Sequence, residues 1–114
     1  MTEQRQIIHV VDDDEAMRDS MTWLLEGEGY QVACFDSAET FLKAYRRNMR
    51  GCLVLDVRMP EMSGLELHEK LDSLGSQLPV IFVTGHGDVP MAVGALQRGA
   101  CDFIEKPFNN EDLL

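Results

Sequence analysis

Cations are scarce in this 114-residue sequence: Lys+Arg number 10 against Asp+Glu 20, a formal net charge of −10. Phosphate contacts need Lys and Arg, and no basic stripe interrupts the acidic background, so the chain by itself makes a poor nucleic-acid binder. Cysteine is nearly absent too. The 3 Cys (Cys34, Cys52 and Cys101) are an odd number, far apart, with no CxxC spacing. That excludes a disulfide framework and a Cys-based metal or redox motif. Each falls in or beside an apolar run and is expected to be a reduced core thiol of a cytoplasmic protein. No apolar run approaches membrane length, and the opening MTEQRQ is polar, so neither a spanning helix nor a secretory signal is expected. There is no internal repeat, low-complexity tract or linker. Neither His9 nor His68 has partners at metal-ligand spacing. His9 is expected to pack inside the first strand, and His68 to lie on a solvated helix face.

What the chain has is the composition of one ordinary globular domain, 45% hydrophobic and 26% charged. Short apolar runs alternate with amphipathic stretches. Ile7–Val11 (IIHVV), Gln31–Phe35 (QVACF), Cys52–Leu55 (CLVL), Val80–Val83 (VIFV) and Ala100–Ile104 read as strands. The third, apolar throughout, suggests burial on both faces. Between them, Met17, Met21, Leu24 and Leu25 mark a helix from Glu15 to about Gly27, closed by Gly27 and Gly29. Ser37 caps a second helix carrying Phe41, Leu42 and Tyr45, with Thr40 three residues beyond the cap. Leu65, Leu67, Leu71 and Leu74 belong to a third, whose head Gly64 frees for a tight turn, and Pro90 to Arg98 forms a fourth. Asn109–Leu114 opens a fifth helix cut short after about one or two turns, so Leu114 is expected to fall at a boundary or linker. Five βα units in so short a chain imply an α/β fold: a doubly wound, five-stranded parallel sheet with right-handed crossovers.

Acidic residues sit where such a sheet places its ligands, beyond the carboxyl ends of strands. Asp12 and Asp13 end one apolar run and Asp56 ends another. If those runs are neighbouring strands, three carboxylates converge, and a bound cation relieves their repulsion. The hard cation that suits all-oxygen ligands and works beside phosphate is Mg2+. Phosphate chemistry follows, with one Asp as a possible acceptor. The same acidic run also suits capping of the helix behind it, the expected role of Asp14 and Glu15.

With these residues in place, the chain resembles a response-regulator receiver domain over essentially its whole length. VDDD follows the first strand and DVRMPEMSG the third. Thr84 ends the fourth, Phe103 lies on the fifth, and Lys106–Pro107 follows it. VTGHGDVPMAV and DFIEKPF resemble the FixJ-type branch, where a helix-turn-helix DNA-binding domain commonly follows. The resemblance implies the flavodoxin-like strand order 2-1-3-4-5. It implies phosphorylation of Asp56 by a sensor histidine kinase. Asp13, Asp56 and the backbone carbonyl of Arg58 would hold Mg2+ directly, and Asp12 through water. Lys106, aimed by a cis Lys–Pro bond, and the Thr84 hydroxyl would meet the phosphoryl oxygens. Phe103 would be a switch aromatic. Arg58 and His86 would tune access of water. As glycines, Gly85 and Gly87 are expected to supply either a positive φ or a close backbone approach beside the site. Dimerisation through the fourth helix, fifth strand and fifth helix would control transcription in the cytoplasm, with no nucleic-acid or membrane contact by this domain.

Each residue also has a plainer account. Lys106 could be an ordinary surface lysine, Thr84 a β-branched strand end, Phe103 a core residue, and His86 an exposed loop histidine. Other families weigh less. A haloacid-dehalogenase-like phosphohydrolase needs a second Asp two residues beyond its nucleophile, where this chain has Arg58, and a cap insertion it lacks. A flavodoxin-like carrier would cradle phosphate in its first loop, which Asp12–Glu15 would repel. A degenerate receiver serving as a scaffold would not keep Asp12, Asp13, Asp56, Thr84 and Lys106 together; failure to bind Mg2+ would favour it.

Overall fold

The computed structural model describes residues 7–83 in full, together with the backbone of Thr84 and of a strand at Asp102–Glu105. In chain order the elements are β1 (Ile7–Val11), α1 (Glu15–Gly27), β2 (Gln31–Phe35), α2 (Ala38–Ala44), β3 (Cys52–Asp56), α3 (Gly64–Ser73), β4 (Val80–Thr84) and β5 (Asp102–Glu105). All five strands run parallel in the order β2-β1-β3-β4-β5, the order expected. The expected fourth and fifth helices lie outside the described residues. Among the described residues, no helix is long and apolar enough to cross a membrane.

Side-chain alternation along the strands divides the core in two. Val11, Leu53, Leu55 and Phe82 point to one face, where they pack with Ala38 and Phe41 of α2 and Leu67 and Leu71 of α3. Val10, Val54 and Val83 point to the other, against Met21 and Leu25 of α1. A strand covered on both sides needs apolar residues at consecutive positions, and Leu53, Val54 and Leu55 supply them. Full burial of an aromatic such as Phe41 contributes about 1.5–3 kcal/mol, and its ring also meets Phe35 edge-on at 5.1 Å.

His9 is buried at 5% exposure on the α2 side, as expected. Its Nε2 lies 2.8 Å from the carbonyl of Arg50; a carbonyl only accepts, so Nε2 carries the proton and ties the α2–β3 loop to β1. The helices begin where side chains satisfy their first amides. The Asp14 carboxylate accepts from Ala16 and Met17 at α1, and Ser37 Oγ from the Thr40 amide at α2. At α3 a reciprocal pair forms, Ser63 Oγ with the Glu66 amide and Glu66 Oε1 with the Ser63 amide. Helix α1 ends as expected, with Gly29 left-handed at φ +94°.

Three expectations are corrected. Cys34 is exposed, because β2 is an edge strand and Cys34 faces its α1 side at the rim, beside Thr22 Oγ1 at 3.1 Å. His68 is half-buried, its ring edge-on to Phe82 at 5.6 Å, because α3 lies over β4. Leu74 caps the C-terminus of α3 and is 42% exposed, so the apolar face ends at Leu71. Of the expected fifth strand, Asp102–Glu105 is described, and Ala100 and Cys101 lie outside the described residues.

Candidate functional site

Register brings the carboxylates together. Val11 of β1 pairs with Leu55 of β3, so the next residues, Asp12 and Asp56, leave adjacent strands at the same level. One oxygen each from Asp12, Asp13 and Asp56 lies within 4.8 Å of the others. Asp12 and Asp56 are buried, at 1% and 7% exposure, whereas Asp13 is exposed at the mouth. Two walls of the pocket are therefore desolvated, and like charges repel more strongly there than in water.

The turn after β1 is tied down at Asp12. Its amide donates to the Phe35 carbonyl at 3.1 Å, its Oδ1 accepts from the Asp14 amide at 2.9 Å, and its carbonyl accepts from Arg18 Nη1 at 2.7 Å. Asp13 lies between two anchored residues. Asp14 caps the helix, as the sequence suggested.

The strand-end position of Asp56 is fixed from the other side. The Val57 amide donates to the Val83 carbonyl at 3.0 Å, and the Gly64 amide to the Val57 carbonyl at 3.0 Å. Gly64 does not adopt a positive φ. A Cβ there would overlap the Asp56 carbonyl oxygen, so glycine is required by close approach rather than by turn geometry. Arg58 is exposed in the loop that follows.

Asp56 pairs with Val83 in register, which puts Thr84 one residue beyond that level on β4. Thr84 in turn pairs with Glu105 of β5, and Phe103 pairs with Phe82. Thr84 thus belongs to the strand next to β3, and Phe103 to the edge strand beyond it. Gly85, His86, Gly87, Lys106 and Pro107 lie outside the described residues.

The donor set fits a hard cation. It is all carboxylate oxygen, with neither thiolate nor imidazole in it. An octahedral Mg2+ with ligands at about 2.1 Å spans roughly 4 Å between opposite oxygens, so the group needs only small movements to close on one. Two neighbours of the site went unread in the sequence, Arg18 and the contact of Gly64 with Asp56. A lone cation at the first full turn of α1, six residues past Asp12, was the available signal for Arg18. Nothing local signals the contact of Gly64, which depends on how α3 seats on β3.

Residues 8–114 match the family model of the response regulator receiver domain. Response regulator protein TmoT of Ectopseudomonas mendocina is 52% identical over 114 residues, 100% of this chain and 52% of that protein. Transcriptional regulatory protein FixJ of Azorhizobium caulinodans is 50% identical over 107 residues, 94% of this chain and 51% of that protein. Among solved structures, FixJ-N matches with a TM-score of 0.89 at 47% identity, covering 97% of this chain and 89% of that one. Full-length FixJ from B. japonicum matches with a TM-score of 0.91 at 47% identity, covering 97% of this chain and 55% of that one. The chain spans about half the length of the relatives it matches.

Proposed function

The chain belongs to the response regulator receiver domain family, signalling domains of two-component systems, and on that premise we propose that Asp56 accepts a phosphoryl group from a phosphohistidine of a sensor histidine kinase. The observation that carries this reading is the convergence of Asp12, Asp13 and Asp56 at the carboxyl ends of adjacent parallel strands. A carboxylate oxygen of Asp56 attacks phosphorus in line, the P–N bond breaks, and the departing imidazole takes the electron pair and a proton. Attack by water on the resulting acyl phosphate restores the carboxylate and releases inorganic phosphate.

Asp12, Asp13 and Asp56, with the carbonyl of Arg58, are the residues to hold Mg2+, which supplies charge neutralisation for the oxygens of the transferring group. The chain's own residues do the rest. Asp56 is held rigid by the bonds at Val57 and Gly64. Lys106 and the Thr84 hydroxyl bind phosphoryl oxygens, and Arg58 and His86 tune access of water. Phosphorylation adds about −1.5 to −2 charge to a pocket that already holds carboxylates. Thr84 and Lys106 move to meet it, Phe103 turns inward, and the face made by the fourth helix, β5 and the fifth helix changes shape.

That face forms a symmetric dimer in this reading. Relatives of the chain include transcriptional regulatory proteins FixJ and TdiR. In a longer protein with a C-terminal helix-turn-helix domain, dimerisation would set two DNA-binding units on paired half-sites in the cytoplasm.

The test is intact mass after incubation with Mg2+ and acetyl phosphate or phosphoramidate. One phosphate on the wild type, absent without Mg2+ and absent in Asp56→Asn, is the expected result. A phosphate that persists in Asp56→Asn would identify another nucleophile, and unmodified wild type with both donors would remove the small-donor acceptor reading.

A further inference from the structure

We infer that Arg18 is a positioning residue for the metal-binding carboxylates, acting through the backbone of Asp12; this rests on the reading of the acidic pocket given above. Arg18 is half-buried on α1, and its Nη1 donates to the Asp12 carbonyl at 2.7 Å. That carbonyl belongs to the peptide unit leading into Asp13. Its orientation sets where the Asp13 side chain emerges. Asp13 is the exposed member of the three and the one with most freedom to swing away.

Two further ties at Asp12 act on other groups than that peptide plane. The amide bond to Phe35 holds the preceding plane, and the Oδ1 bond to the Asp14 amide holds the carboxylate. The guanidinium completes the set with a charge-assisted bond, stronger than a neutral one. A group that holds a ligand in place without touching the ion typically changes metal affinity about 10–100-fold when removed.

Arg18 is also a cation beside a cation site, and that influence has the opposite sign. As a charge alone it would weaken Mg2+ binding, and its removal would tighten it. As a clamp on the turn, its removal weakens binding. Arg18 is half-buried beside the site, so salt screens its charge only partly and both influences act at once. In this reading the direct 2.7 Å bond to the Asp12 carbonyl outweighs the charge, and the sign of the affinity change on removal decides between the two roles.

The experiment is calorimetric titration of the 114-residue chain with Mg2+ in 0.15 M salt (about physiological), without phosphodonor, for wild type, Arg18→Ala, Arg18→Lys and Asp13→Asn. Arg18→Ala is expected to bind about tenfold more weakly, and Arg18→Lys, which keeps a charged donor, to recover most of that loss. With phosphoramidate, the Mg2+ concentration for half-maximal phosphorylation of Arg18→Ala should rise in step, with a smaller change in limiting rate. Equal or tighter binding by Arg18→Ala overturns the inference, as does a fall in limiting rate with affinity unmoved. Far-UV circular dichroism checks that Arg18→Ala folds; if it does not, Arg18→Lys, a charged donor, against the shorter and neutral Arg18→Gln supplies the same comparison. Wild type without Mg2+ binding, or binding that survives Asp13→Asn, would instead overturn the pocket reading on which the inference stands.

Discussion

Gly64, the first residue of α3, lies directly against the backbone carbonyl of Asp56: a Cβ on Gly64 would come within 2.9 Å of that carbonyl carbon and overlap its oxygen. The helix and the proposed acceptor are thus seated on one another. Gly64→Ala improves helix propensity by up to about 1 kcal/mol, but overpacking against backbone costs about 1–3 kcal/mol. The steric term wins, because a strand-end peptide cannot step aside as a side chain can. Urea unfolding should show a net loss of roughly 1–2 kcal/mol, and phosphorylation by phosphoramidate should slow, since the displaced peptide is that of Asp56. A variant equal to wild type in both would show that α3 is free to shift.

Three carboxylates within 4.8 Å repel one another when no cation is bound. At such separations each pair costs about 1 kcal/mol even in a water-like dielectric, and more where two members are buried. Asp56→Asn removes one charge while keeping the shape. In EDTA it should be more stable than wild type by roughly 1–2 kcal/mol, and each kcal/mol raises the melting temperature by roughly 4 °C. In saturating Mg2+ the wild type should close or reverse the gap. Equal melting temperatures in EDTA would mean that repulsion among the three carboxylates does not weigh on the fold.

Asp14 belongs to the same acidic run but has a different task, accepting from the amides of Ala16 and Met17 at 3.0 and 3.4 Å. Asp14→Ala should lower stability by about 1 kcal/mol through loss of the cap. Mg2+ affinity should stay within about twofold, since Asp14 lies outside the converging group. A large drop in affinity would assign Asp14 to the metal site.

The parts of this site readable from the sequence are those that depend on strand ends. VVDD and LVLD announce carboxylates at the tips of buried strands because apolar continuity and a terminal charge are local properties. Strand order came only with the family resemblance. Features set by tertiary placement were hidden. Cys34 sits in an apolar run like any core thiol, and only its place at a sheet rim exposes it. His68 turns toward Phe82 because of how α3 crosses β4. Arg18 resembles any helical cation until the Asp12 carbonyl is seen beside it.

Glu61 adopts φ +66°, a left-handed conformation, in the loop between Asp56 and α3. That conformation costs a residue with a Cβ roughly 1–2 kcal/mol, whereas glycine adopts it freely and loses about 0.5–1 kcal/mol through its more flexible unfolded state. Glu61→Gly should therefore stabilise the protein by roughly 0.5–1 kcal/mol, and Glu61→Val, β-branched, should destabilise it. The loop is anchored at both ends, by the Val57 amide on Val83 and the Gly64 amide on Val57, with the Ser63–Glu66 pair behind them. Relief of one dihedral should leave those anchors in place, so Glu61→Gly should accept phosphoryl groups at the parent rate. Urea unfolding beside a phosphoramidate time course separates the outcomes. A more stable variant that phosphorylates slowly would mean that the strain at Glu61 holds the loop in its working shape.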